Sequence, residues 1–322
     1  MKCSTWIAAA SATLAMLALP AQAAVYSVVF AFGDSLSDNG QSLTGRPTPP
    51  APYVGGRFSN GPVAVEYLAS AMGANLFDYA VSGATSGVLN TDFSDGDPLR
   101  QTGVARQVDR FQADLGGAAA NPLALYMVSG GSNDFLAIDP TDPVAVVQTA
   151  GDVVNNLDIA VMRLYGLGAR NFLLPLLPDL GHTPLAAGIG LGAELSQLSA
   201  DFNALLADSY NQLLASLPDA RFAIFDTASS QNAVAAGAPG NGFVNLDEAC
   251  YDVATDTVCS SPDSYFFWDQ EHPSTAGYAV LGADLLKALP EPSSAVLSAL
   301  ALLCCAGISV RRGSRPAARP SR

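Results

Sequence analysis

The 322-residue chain carries 29 acidic against 15 basic residues, a formal net charge of −14. Six of the basic residues, Lys2 and Arg311, Arg312, Arg315, Arg319 and Arg322, lie at the two ends, so the body sets nine positive charges against the 29 negative ones. Such a surface repels phosphate backbones and excludes nucleic acid as a partner, and neither lysine (Lys2, Lys287) sits in a phosphate-cradling loop.

Residues 1–23 read as an export signal: Lys2 supplies the positive start, residues 5–19 are largely apolar, and Ala21-Gln22-Ala23 is an A-x-A cleavage site. The run is short for a membrane anchor and stops at Pro20, so the mature chain is expected to begin at Ala24, with Cys3 upstream of the cut. Residues 25–32 form an apolar, β-branched and aromatic run of strand length. It breaks at Gly33-Asp34-Ser35-Leu36-Ser37, a turn that would present the Ser35 hydroxyl at the carboxyl edge of a sheet, where open α/β folds bind ligands. The alternative reading of Ser35 is a helix cap.

A Pro/Gly-rich loop over 45–56 and the block GRFSNG at 56–61 lead to a helix over 62–72, with Ser59 or Asn60 as its cap. Residues 75–81 read as a second strand closing on Ser82-Gly83-Ala84, and 90–103 as a polar, acidic surface loop. A helix over 104–115 precedes a third strand at 123–128, which ends in Gly130-Gly131-Ser132-Asn133-Asp134. Helix 144–167, strand 171–177, helix 193–217 and strand 221–226 follow; 228–267 is irregular, and a last helix over 274–288 has Ser274 as its cap. Strands and helices alternating at these lengths predict an α/β fold of three layers, α/β/α, around a central five-stranded parallel sheet. No internal repeat or linker interrupts it, so residues 24–289 are expected to form one domain.

Cys250 and Cys259 are the two cysteines of the mature body, nine positions apart in a loop-like segment, and export makes a disulfide the expectation, with two free thiols as the alternative. With His182 and His272 the only histidines, metal ligands are scarce; neither a metal site nor a cofactor is expected. Acyl transfer by a serine needs a base, a group to orient it and donors for the oxyanion. Asp269 lies three residues before His272, and Asp179 three before His182, so spacing alone does not choose the base. Gly83 and Asn133 each follow a strand, like Ser35, and could meet it along one sheet edge; ordinary turn residues would look the same. The G-x-S-x-G elbow is absent.

Four blocks in order, Phe32 to Asp38, Asp78 to Ala84, Gly131 to Asp134 and Asp269 to His272, resemble the GDSL, or SGNH, family of esterases and lipases. The resemblance spans essentially all of 25–289 and implies a flavodoxin-like SGNH hydrolase fold. It also implies a Ser35 nucleophile, His272 as base with Asp269 behind it, and an oxyanion hole from the N–H groups of Ser35 and Gly83 with the Asn133 amide. The GRFSNG block, Pro178-Asp179-Leu180-Gly181 and Phe267 to Pro273 are similar to features of plant-type and autotransporter esterases and thermolabile haemolysins. Asp78 stands where many members have asparagine. The implied partner is an ester or lipid substrate. A phospholipase or lipid acyltransferase, or a non-catalytic surface binding protein on the same fold, are the alternatives.

Residues 290–322 resemble a PEP-CTERM sorting signal: Pro290-Glu291-Pro292, an apolar stretch at 295–310, then arginines. That implies an exosortase-type processing enzyme as a partner and delivery to a bacterial cell surface or extracellular matrix. Sixteen apolar residues cover about 24 Å as a helix, short of the roughly 30 Å bilayer core. A transient membrane association is therefore expected before processing, with a plain anchor as the alternative.

Overall fold

The computed structural model describes residues 26–41, 48–237 and 242–290. The expected export segment and the tail from 291 onward, with its apolar stretch at 295–310, lie outside the described residues, as does part of the loop at 45–56. Strand β1 is Val28–Phe32, β2 Asn75–Asp78, β3 Leu125–Val128, β4 Asn171–Pro175 and β5 Arg221–Phe225. They form one parallel sheet in the order β2-β1-β3-β4-β5, the expected α/β architecture. Phe30 pairs with Phe77 on one side and Tyr126 on the other, which places β1 inside the sheet. In this flavodoxin-like order the connections reverse direction between β1 and β3, and a crevice opens there at the carboxyl ends of the strands. Ser35 and Asn133 lie just beyond those two ends.

Strand side chains alternate between faces, and each face has its own core. Phe32, Tyr126, Val128, Phe172 and Leu174 pack with helices α2 (Val104–Asp114), α4 (Pro143–Leu167) and α6 (Gly192–Ser216). Val29, Ala31, Leu125, Met127, Leu173 and Phe225 pack with α1 (Ala64–Met72), α7 (Thr227–Ala235) and α8 (Thr275–Ala288). Burying one such Val, Leu or Phe side chain contributes roughly 1.5–3 kcal/mol, so the two layers hold the sheet edge rigidly.

Several expectations are corrected. The strands expected to run to 81 and 177 stop at Asp78 and Pro175. The segment 228–267 is not irregular: it holds most of α7, strand β6 (Asn245–Ala249) beside β9 (Tyr265–Phe267), and a hairpin of β7 (Tyr251–Asp252) and β8 (Thr257–Val258). Helix α7 reads Thr-Ala-Ser-Ser-Gln-Asn at its start, too polar to show an apolar stripe; its signal is the cap, Asp226, whose Oδ1 accepts from the Ser229 N–H at 2.9 Å. Two short helices, α3 (Ser132–Leu136) and α5 (Pro184–Ile189), were also not read from the sequence. Ser59 and Asn60 do not cap α1, whose first residue follows Val63. Instead the Ser59 hydroxyl donates to the Pro273 carbonyl at 2.9 Å, and Asn60 Oδ1 accepts from the Thr275 N–H at 2.7 Å, fastening GRFSNG to the start of α8. Ser274 caps α8 as expected, accepting from the Gly277 N–H.

Candidate active site

Gly33 is where the β1 turn becomes tight. Its backbone is gripped on both sides by the buried Gln107 of α2, whose Oε1 accepts from the Gly33 N–H at 2.8 Å while Nε2 donates to the Gly33 carbonyl at 2.7 Å. A Cβ at Gly33 would lie 2.7 Å from Ser129 Oγ, so no larger residue fits without a shift. The turn then closes with the Ser37 and Asp38 N–H groups donating to the Asp34 carbonyl, which leaves Ser35 at its apex, half-buried.

Ser35 and His272 are 237 positions apart, yet the Ser35 hydroxyl lies 2.8 Å from His272 Nε2. On the other side of the ring, Nδ1 lies 2.9 Å from both carboxylate oxygens of Asp269. Nδ1 therefore carries the proton toward the carboxylate, and Nε2 is left to accept from the serine. Asp269 Oδ1 also accepts the N–H groups of Glu271 at 2.9 Å and His272 at 2.8 Å, so the one-turn spacing noted in the sequence builds the contact directly. Burial would raise the Asp269 carboxyl, but the charge and hydrogen bonds of His272, with the Glu271 N–H, hold it below the ordinary carboxylate range. Burial likewise pulls the imidazole down. The Asp269 charge and hydrogen bond outweigh that, with help from Glu271 and Asp34, and His272 ends above its usual value. Asp34, buried beside Ser35, is pushed up to about 6 by burial, against the Leu36 N–H and His272.

His182 is differently placed. Its Nδ1 lies 2.6 Å from Asn232 Oδ1 and 3.6 Å from Asp179 Oδ2, and about half its side chain is exposed. Asp179 instead accepts from the Gly181 N–H and the Ser196 hydroxyl, so this Asp–His pair organises a turn.

Asn133, at the start of α3, lines the same cleft as Ser35 and His272. One of its amide hydrogens is donated to the Ala84 carbonyl at 2.9 Å, which orients the group. Gly83 does not line that cleft, but it stands on the loop that follows β2, next to β1. Its φ of 74° lies in the left-handed region that favours glycine. Among the described residues the N–H groups of Ser35 and Gly83 donate to no protein acceptor. The loop is clamped from three sides. Ser82 N–H donates to Asp38 Oδ2 at 2.7 Å, and Asp134 takes both the N–H and the hydroxyl of Ser86 at 2.8 Å. Asn90 donates to the Ser82 carbonyl at 2.7 Å. The stretch 90–103, expected to be plain surface loop, thus begins with a fully buried asparagine that braces Gly83.

Asp78 Oδ2 accepts from the Asn39 N–H at 2.8 Å and Oδ1 from the Ala80 N–H at 2.9 Å, tying the Ser35 turn to the end of β2. By surface area it is only partly buried, but the surrounding protein desolvates it. That and the charge of Asp38 push its carboxyl well above the usual range.

Behind the Asp–His turn lies the cystine Cys250–Cys259, which bridges the ends of the β7–β8 hairpin as expected. The hairpin is docked on the turn through its backbone: Cys250 N–H donates to the Phe267 carbonyl, Tyr251 N–H to that of Trp268, and Trp268 N–H to that of His272. Replacing both cysteines with serine should lower stability in urea by about 2–3 kcal/mol, the loop-closure value for a ring of this size. An unshifted unfolding midpoint would mean that the backbone docking alone holds the hairpin.

A serine hydroxyl on an imidazole that is held by a buried carboxylate, at the switch point of a parallel sheet, defines an α/β protein equipped for nucleophilic attack on an acyl group. Residues 29–285 match the family described as GDSL-like Lipase/Acylhydrolase. The chain belongs to that family, whose members are carboxylic ester hydrolases. A GDSL esterase/lipase of Arabidopsis thaliana is 27% identical over 311 residues, covering 78% of this chain and 79% of the relative. The thermolabile hemolysin of Vibrio parahaemolyticus is 26% identical over 290 residues, covering 80% of this chain, which spans 63% of the hemolysin's length. Among solved structures, an acetylxylan esterase from Geobacillus stearothermophilus aligns over 82% of this chain and 93% of its own, with 14% identity and a TM-score of 0.45.

Proposed function

We propose that this ester hydrolase works through Ser35, His272 and Asp269 and a covalent acyl-enzyme. Ser35 Oγ attacks the ester carbonyl carbon as its proton passes to His272 Nε2. The carbonyl oxygen becomes an oxyanion, received by the N–H groups of Ser35 and Gly83 and the Asn133 amide. On collapse the C–O bond to the alcohol breaks, and the leaving alkoxide takes the proton from His272. Water, deprotonated by the same imidazole, then releases the acid. The hydrogen-bonded row Ser35–His272–Asp269 is the observation that carries this reading. A fluorophosphonate should add once, at Ser35, and abolish ester turnover; turnover that survives with Ser35 unmodified would overturn it. Export and C-terminal sorting rest on the sequence segments 1–23 and 290–322.

The substrate we propose is an ester with an apolar acyl chain. The cleft beside Ser35 is walled by Leu36, Met127, Phe225, Phe267, Leu281 and Leu285. Five of these, all but Leu36, are buried members of the core between the sheet and α8, so the cleft reaches from the nucleophile into the apolar interior. Each methylene that follows it leaves water at a gain of up to about 0.8 kcal/mol. Nitrophenyl octanoate should thus exceed the acetate in kcat/KM by about tenfold or more, and Leu281→Trp should reverse the order. A wild-type preference for acetate would refute the assignment.

A further inference from the structure

The Asp269 carboxylate has one more partner than the triad requires. Tyr53, from the loop before α1, places its Oη 2.8 Å from Asp269 Oδ2. Because Asp269 is held ionised, the phenol is the donor. Burial, followed by the charge of Asp269 and this hydrogen bond, keeps the Tyr53 hydroxyl protonated far above its usual range. The four donors then divide unequally. Oδ1 takes the N–H groups of Glu271 and His272, and Oδ2 takes Tyr53, while the imidazole Nδ1 lies equally near both oxygens.

The Tyr53 ring is fixed from several directions. Phe58 packs on it at 5.4 Å between ring centroids, Tyr251 meets it edge-on at 5.5 Å and Trp268 at 6.5 Å. Tyr251 and Trp268 are themselves stacked at 5.7 Å, on the cystine hairpin and the segment leading to Asp269. Phe58 in turn lies 5.1 Å from the His272 ring. The backbone nearby is equally tied: Val54 N–H donates to the Ser59 carbonyl, and Arg57 grips Glu66 of α1 with two N–H donors at 2.6 and 2.7 Å. A side chain held this firmly can hold the carboxylate in turn.

We propose that Tyr53 is a positioning residue for this reaction: its hydroxyl fixes the rotation of the Asp269 carboxylate against the His272 ring and draws charge from Oδ2. The proposal rests on the Ser35–His272–Asp269 reading. It has two separable consequences. Losing the hydroxyl frees the carboxylate to rotate, which slows proton transfer. It also leaves the carboxylate a stronger anion beside the ring, which raises the pH at which His272 loses its proton. The other charged or titratable groups facing His272 are Glu271 and Asp34, and the Tyr278 hydroxyl faces Asp269 and Asp34. None of them is hydrogen-bonded to Tyr53, and all of them are retained in a Tyr53 variant; Glu271 also acts on the Tyr53 hydroxyl through its charge.

The test is Tyr53→Phe, which keeps the ring and its packing and deletes one oxygen. Kcat for a nitrophenyl ester should fall by about tenfold, with KM within about twofold. The acid limb of kcat/KM should move up by about 0.5–1 pH unit. Tyr53→Leu should show the same limb shift with a lower Tm, because it also empties the aromatic cluster. A lowered Tm with the limb and kcat unmoved in both variants would assign Tyr53 to packing and overturn the proposal. Fluorophosphonate labelling of the wild type separates the two readings. An unlabelled Ser35 with full turnover sinks both, whereas a labelled Ser35 with an unmoved limb in Tyr53→Phe sinks only this one.

Discussion

Ser35→Ala should lower kcat for any accepted ester by about ten thousand- to a million-fold while leaving Tm within a few degrees of wild type. The size of the loss follows from the geometry. Among the described residues Ser35 Oγ is the hydroxyl hydrogen-bonded to His272 Nε2, at 2.8 Å. The fold should survive because the turn is built by other groups, the Gln107 grip on Gly33 and the two N–H bonds to the Asp34 carbonyl, none of which uses the Ser35 side chain. His272→Ala should match this loss, since the proposed base and nucleophile act as one unit and their effects do not add. His182→Ala should leave kcat within about twofold, because that ring is bound to Asn232 and is half in solvent. Steady-state turnover of a nitrophenyl ester checks all three. A kcat for Ser35→Ala within tenfold of wild type would remove it from the mechanism.

The contrast between the two histidines marks how far the sequence could be read. Both carry an aspartate three residues earlier, and both aspartates do contact their histidine's turn. Local spacing is blind to what lies across the fold, and the ordering of four blocks was needed to prefer His272. The sheet was legible because its strands are apolar runs ended by turn residues, a local pattern. Strand ends were overextended at β2 and β4 because the residues after them stay apolar and keep backbone bonds to the next strand, Tyr79 N–H to the Ala31 carbonyl and Leu176 N–H to that of Phe225; Leu176 and Leu177 are buried without belonging to β4. The residues missed altogether act through side chains over long separations. Gln107 reaches Gly33 across 74 positions and Tyr53 reaches Asp269 across 216. Neither stands in a motif, and glutamine on a helix or tyrosine in a Pro-rich loop reads as ordinary surface. Asp134 was legible as part of a block, but its bond to the Ser86 N–H, which holds the Gly83 loop, was not.

Asp269→Asn should cost about ten thousandfold in kcat, through the tautomer rather than through position. An amide at 269 can present its NH2 to Nδ1, which turns the ring's proton to Nε2, the nitrogen that must accept from Ser35. The acid limb should also move, and in the direction opposite to that expected for Tyr53→Phe. With the carboxylate gone, burial is left as the dominant influence on His272 and lowers its proton affinity, so the remaining activity should extend to lower pH. The same linkage predicts the stability profile. In the wild type the folded-state imidazole binds its proton more tightly than the unfolded one. That contribution is fully present below the unfolded value of about 6.5 and is lost as pH rises through the higher folded value. Asp269, held low, contributes above its unfolded value of about 3.9 and loses that contribution as pH falls through its lower folded one. Both favour the wild type most strongly between these limits. The Tm deficit of Asp269→Asn should therefore be larger at about pH 5.5 than at about pH 9, which thermal melts at the two pH values would measure. Equal deficits would show that the Asp269–His272 pair holds no more tightly when the ring is charged, and the assignment of Asp269 as the group that sustains the imidazolium would fall with it.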